Sequence, residues 1–195
     1  SLCLLVACGG GGDGDDDEID RTIPAASMDY VLLAWNDLGM HCLNPTYDTM
    51  VILPPYNTVW AQLVRRSSRP EIVTAGVTLE YAMVNNTTSV TKADYGQFWT
   101  NAFALFGVNL SDDVGLTGNG LTGSMERVGT HYEVVGIPVT PVDDNNAWNP
   151  YQVIEITAKD TQGAVLATTR ATVPTSEEIN CNKCHAPTGT ITDTF

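Results

Sequence analysis

The stretch from Tyr151 to Val173 limits what this chain can fold into more than any other. Tyr151 to Ala158 and Ala164 to Val173 are runs rich in Val, Ile, Ala and Thr, joined by Lys159-Asp160-Thr161-Gln162-Gly163. That is the pattern of two strands closed by a turn. The same signals recur upstream. Val77 to Val84 sets Val77, Leu79, Tyr81 and Met83 against Thr78, Glu80 and Ala82, an alternation that marks a strand with one wet face. Tyr30 to Trp35 is a nearly continuous apolar run of the kind buried on both faces. Thr49 to Leu53, Thr58 to Val64, Glu71 to Thr74 and His131 to Ile137 also read as strands, with breaks at Pro54-Pro55-Tyr56-Asn57 and at the basic turn Arg65 to Pro70. Short strands, turn signals and a closing hairpin predict a mainly β fold, a β-sandwich with immunoglobulin-like topology.

One inserted amphipathic helix departs from that pattern. Asp94 is placed to cap it and Gln97 to complete a capping box, while Tyr95, Phe98, Trp99, Ala102, Phe103, Leu105 and Phe106 fall at helical spacing and Gly107 stops the run. An aromatic stripe of this kind is expected to face the core. Gly115 to Gly123, rich in Gly, Thr and Asn, reads as a loop, as does Asp143-Asp144-Asn145-Asn146.

The chemistry concentrates near the C-terminus, in Cys181-Asn182-Lys183-Cys184-His185. Two thiols three positions apart followed at once by His form the C-x-x-C-H attachment pattern of c-type haem. Each thiol can add to a haem vinyl group, and His185 is then placed to supply the proximal ligand to the iron. With five Cys and three His in 195 residues, chance produces the pattern on the order of twice in a thousand such chains. Thr175-Ser176-Glu177-Glu178 just upstream has the capping-box form that starts a helix. Other chemistry for the pair is a disulfide, a thioredoxin-like redox couple or half of a zinc site. The residue order strand, hairpin, strand before Thr175 lacks the βαβ context of a redox couple.

The first eight residues, Ser1 to Cys8, are apolar and too short to span a bilayer. They read as a signal-peptide remnant, and Leu5-Val6-Ala7-Cys8 looks like a lipobox that leaves Cys8 as a lipid-modified N-terminus; an ordinary secretory segment is the plainer reading. Residues 9–27 are Gly-rich and carry Asp13, Asp15, Asp16, Asp17, Glu18 and Asp20, the composition of a disordered acidic tether. The organisation expected is thus 1–8 leader, 9–27 tether, 28–174 β-sandwich and 175–195 haem-attachment segment. A net charge of -14 argues against nucleic acid as a partner.

His41 and His131 are the remaining histidines, and Met40, Met50, Met83 and Met125 the candidate thioethers, for the second axial position. His41 is the preferred distal ligand, because it lies in Asn36-Asp37-Leu38-Gly39-Met40-His41-Cys42, a Gly-containing loop able to approach a cofactor. Cys42 is left over once Cys8, Cys181 and Cys184 are assigned. A zinc-stabilised binding lipoprotein, using Cys42, Cys181, Cys184 and a histidine, is the alternative that employs it. No Ser-His-Asp set, paired-carboxylate pocket or phosphate loop can be argued, which favours electron transfer over an enzyme with its own substrate.

Trp35-Asn36-Asp37-Leu38-Gly39-Met40-His41-Cys42, Leu53-Pro54-Pro55-Tyr56-Asn57, the Gly115 to Gly123 stretch and Cys181 to His185 together resemble exported bacterial c-type cytochrome lipoproteins. The resemblance implies haem c as cofactor, redox proteins as partners, a lipid anchor on Cys8 and an outer-membrane address, as Gly9 after the Cys also suggests. It further implies more C-x-x-C-H motifs in a longer protein, of which 175–195 is the truncated beginning.

Overall fold

The computed structural model describes residues 29–38, 55–93 and 95–175. They form two packed antiparallel sheets, a β-sandwich with one helix. The elements are β1 (Tyr30–Leu38), β2 (Asn57–Arg65), β3 (Glu71–Ile72), β4 (Val77–Val84), α1 (Gly96–Phe106), β5 (Thr122–Ser124), β6 (Glu126–Val128), β7 (His131–Ile137), β8 (Tyr151–Asp160) and β9 (Val165–Pro174). One sheet has the order β1-β2-β7-β6, with β3 pairing Val64 and Arg65 of β2; the other has the order β5-β4-β8-β9.

Period-two alternation places the core. Leu79, Tyr81 and Met83 of β4, Ile154, Ile156 and Ala158 of β8, Val59, Ala61 and Leu63 of β2, and Tyr132 and Val134 of β7 all point between the sheets and are buried. On the outer face of the second sheet the wet residues pair across strands, Glu80 with Lys159 and Glu155 with Arg170. The expected hairpin is present: β8 and β9 pair in one register from Tyr151↔Pro174 to Ala158↔Ala167 and shift by one residue at Lys159↔Val165, with Asp160 accepting from the amides of Gln162 and Ala164 to close the turn.

One side of the sandwich is joined by a chain crossing between the sheets, while on the other β1 and β9 are edge strands, each with one hydrogen-bonded neighbour among the described strands. Thr122 to Val128 crosses from one sheet to the other at buried Met125, whose amide donates to Leu79 O at 2.8 Å. On the opposite side β1 lies against β9. That position corrects the expectation for Tyr30 to Trp35. Among the described strands β1 pairs with β2 alone; it buries Leu32 but leaves Leu33 and Trp35 exposed, so the apolar run is an edge strand rather than one covered on both faces.

The helix departs from expectation twice. Its N-cap is Tyr95, without a side-chain cap hydrogen bond, while residue 94 lies outside the described residues. Its stripe is only partly core: Trp99 and Ala102 are buried, whereas Phe103 and Leu105 are 62% and 67% exposed and Phe106 and Val108 are exposed beside them. The apolar positions spread over an arc of about 160° at 3.6 residues per turn, wider than the body covers. Gly107 ends the helix as expected, at φ 72 with its amide on Phe103 O, a left-handed position suited to glycine. Glu71 to Thr74 keeps only Glu71–Ile72 as strand, and the strand expected at Thr49 to Leu53 lies outside the described residues. The Gly115 to Gly123 stretch is loop until Thr122, where β5 begins.

Ile156→Ala, at a fully buried site, should lower unfolding free energy by about 2–5 kcal/mol, and Leu33→Ala on the outer face by less than about 0.5 kcal/mol. Urea titration of the two variants measures both; equal losses would contradict the assignment of faces.

Candidate functional site

Antiparallel register sorts every strand end to one of two poles. At one pole lie the end of β1 (Leu38↔Thr58), the start of β2 and end of β7 (Asn57↔Ile137), the end of β4 and start of β8 (Val84↔Val153), and the end of β9 (Tyr151↔Pro174). Asn86 Nδ2, just past β4, donates to Thr140 O, just past β7, at 2.8 Å, which puts the two sheets' ends together. At the other pole, Tyr30, Arg65, Glu71, Val77, Asp160 and Leu166 line one shallow cavity of about 440 Å³. Strands of nine and ten residues separate the poles, a span of about 30 Å.

Cys8, His41, Cys42, Cys181, Cys184 and His185 all lie outside the described residues. The points where the described chain gives way to them are defined. The chain leaves β1 at Leu38, three positions before His41, and leaves β9 at Thr175, ten positions before His185. Both exits are at the same pole. Three and ten extended residues reach at most about 10 Å and about 35 Å from these exits. The N-terminal stretch joins at Tyr30, at the opposite pole.

Among the other ligand candidates, Met83 and Met125 are buried between the sheets with Leu121 and Ile154 in the same apolar cluster. His131 stands on the outer face of the first sheet, stacked on Trp60 with ring centroids 4.2 Å apart, and Trp35 meets Trp60 edge-on at 6.3 Å. The sequence, which offers His131 only as a second candidate for the distal position, does not signal this stack. The register that creates it, with Trp60 opposite Glu133 and so diagonal to His131, is not written in local periodicity.

The pole itself is a hydrogen-bonded platform. Thr175 donates from its amide and its hydroxyl to Pro150 O at 2.8 and 3.2 Å, which pins the exit of β9; the helix expected to start there lies outside the described residues. Asn149 donates its amide to Pro141 O, and Gln152 Nε2 donates to Asp143 Oδ1 at 2.8 Å. Asp144 accepts from the amide and hydroxyl of Thr87 and from Lys92 Nζ at 3.0 Å. Asp113 accepts from the amides of Ser89 and Val90, and Val114 O accepts from Trp99 Nε1 at 2.9 Å, reaching α1. Gly136 (φ 76) sits where a Cβ would meet Thr117 Oγ1 at 2.6 Å and Tyr56 Cε2 at 3.0 Å, so the loops close on bare backbone.

Asn57 Nδ2, Asn86 Oδ1, Ser89 Oγ, Thr140 Oγ1 and Gln152 Oε1 are buried here with no hydrogen-bond partner among the described residues, a density of polar atoms of the kind that ordered water satisfies in folded proteins. Among the described residues no three His, Cys, Asp or Glu side chains gather as a metal-binding group, and no helix is long and apolar enough to cross a membrane. No protein-family model matches the chain, and no curated protein matches it.

The Lys92–Asp144 pair is the electrostatic clasp of this pole. The Lys92 side chain is 3% exposed and that of Asp144 34%. Burial alone would raise the Asp144 carboxyl, but the Thr87 amide, the Lys92 ammonium and the Thr87 hydroxyl outweigh it and hold it below the ordinary 3.8. A carboxylate depressed in the folded state contributes stability above its unfolded value and loses that contribution as pH falls through the lower folded value. Asp144→Ala should therefore cost about 1–3 kcal/mol at pH 7, less than a fully buried pair because Asp144 keeps water. The gap from wild type should narrow below about pH 4; urea titrations at pH 7 and pH 3 measure it, and a gap that widens in acid contradicts the pairing.

Proposed function

We propose that this chain is a c-type cytochrome of the bacterial cell envelope. Haem c is held by thioethers to Cys181 and Cys184, with His185 as proximal and His41 as distal ligand, and the protein is anchored at the outer membrane through Cys8 and passes electrons between redox proteins. The observation that carries the reading is the C-x-x-C-H sequence itself, in which the immediate succession of Cys184 and His185 is left unexplained by a disulfide or a closed zinc site. The convergence of the Leu38 and Thr175 exits on one pole supports it, since a bis-histidine site needs both segments within reach. The burial of Met83 and Met125 removes two of the rival ligands.

The bound haem would supply a one-electron couple whose potential depends on its axial ligands and its exposure. This chain's part is to present it. The hydrogen-bonded platform pins the start of the C-terminal segment at Thr175, and pairing with β2, with Asn36 Nδ2 on Thr58 O, holds the end of β1. The opposite pole receives the N-terminal stretch, so the sandwich sets the redox end about 30 Å from the end nearest the anchor. Partners in this reading are proteins that approach that free end.

The same convergence brings Cys42 within reach of Cys181 and Cys184, and it supports a zinc site as the second reading. Metal content separates the two: one iron per motif for the first, one zinc for the second. In a host that matures c-type cytochromes, the chain should keep haem through a denaturing gel. Cys184→Ala should leave a single thioether and move the α band of the reduced pyridine adduct to longer wavelength; an unchanged band would contradict covalent attachment there. His41→Ala should turn a low-spin spectrum high-spin. A spectrum indifferent to that change would assign the distal position to Met40, Met50 or a ligand from elsewhere.

A further inference from the structure

The exposed apolar arc of α1 is at the pole from which the haem-attachment segment departs. α1 is carried on residues 85–121, which leave from the end of β4 and return to the start of β5, and these two ends are paired, Ala82↔Thr122. Helix and exit are thus on one platform, joined by the bonds from Thr175 through Pro150, Asp143, Asp144 and Asp113 to Trp99. Phe103, Leu105, Phe106 and Val108 are exposed together at the helix C-terminus, and Tyr151 is exposed beside Pro174. The outer face of the second sheet carries the ion pairs Glu80–Lys159 and Glu155–Arg170, and the other exposed apolar side chains, among them Leu33, Trp35, Ile72 and Val165, stand on the strands away from α1. A patch of this kind on a chain of net charge -14 calls for a covering partner.

We infer that the C-terminal segment, residues 176–195, docks on α1, with Phe103, Leu105 and Phe106 as its apolar wall. Three observations choose this occupant. The segment begins at Thr175, pinned at the same pole. Its twenty residues can span the platform, since an extended chain covers about 3.3–3.6 Å per residue. It carries Ile179, Ala186, Pro187, Ile191 and Phe195 and little charge beyond Glu177, Glu178, Lys183 and Asp193, a composition that buries against an apolar arc and not against the ion-paired sheet face. The inference deepens the haem reading and partly rests on it: a wall of this kind would exclude water from one side of the group held by Cys181 and Cys184, and exclusion of water raises a haem potential.

The test is the triple variant Phe103→Ser, Leu105→Ser, Phe106→Ser, made in the full chain matured with haem. These side chains are exposed in the described structure, so the sandwich should unfold within about 1 kcal/mol of wild type. Docking predicts that amides of 176–195 exchange hydrogen at least tenfold faster in the variant and that the haem midpoint potential falls. Unchanged exchange and potential, with covalent haem present, overturns the docking and leaves the haem reading intact. A chain that never acquires haem overturns the haem reading, while faster exchange of 176–195 in the same triple variant would still support docking. Slow exchange there in both proteins, or a variant that forms dimers less readily at unchanged exchange, would assign the arc to a second copy instead.

Discussion

The packing of two antiparallel sheets face to face is the constraint from which the rest follows. Leu79, Ile154 and Ile156 on one side and Val59, Leu63 and Val134 on the other exclude water completely or nearly so, and burial of this kind is the dominant favourable term in folding. Because the side-chain period of a strand is two, a slip of one residue would turn the core of β4 or β8 outward, so register is fixed. Fixed register fixes where each strand ends. The two poles are therefore consequences of the core, and so is the shared departure point of the Met40-His41-Cys42 and Cys181-to-His185 segments.

What the sheets fix in outline, the loops at that pole make rigid. Loops are ordinarily the least constrained parts of a sandwich. Here Asp113 and Asp144 accept from a neighbouring loop and Asp143 from Gln152 of β8, and Lys92 is drawn under cover to complete the set. Preorganised, hydrogen-bonded supports are what a site needs to hold its groups in place. The arrangement accords with the proposed role of this end as the redox end, and equally with any function that needs two segments held side by side.

Much of the fold was legible in the sequence because alternation is a local signal. β4, β7, β8 and β9 fell where Val, Ile and Thr alternate with polar residues, and Gly107 ended α1 where the stripe stopped. The errors share a cause: burial depends on neighbours that periodicity does not name. Tyr30 to Trp35 has the composition of a central strand but stands at an edge, and Phe103, Leu105 and Phe106 have helical spacing but extend past the body they were expected to face. The stack of His131 on Trp60 comes from pairing between strands some seventy residues apart in sequence, and no local pattern encodes it. The proposed site was legible in another sense, since C-x-x-C-H names its chemistry directly; Cys181, Cys184, His185 and His41 lie outside the described residues, and the structure contributes the pole from which they start.

The central claim is that this pole is where the redox group works, and the most direct measurement is nuclear magnetic resonance of the haem-loaded chain in its oxidised and reduced forms. Paramagnetic shifts and line broadening on oxidation should concentrate in amides of Asn86, Val139, Thr140 and Tyr151 and fade towards Gly76 and Gly163 at the far pole. Effects centred on Gly76 and Gly163, or spread evenly over both ends, would contradict the account.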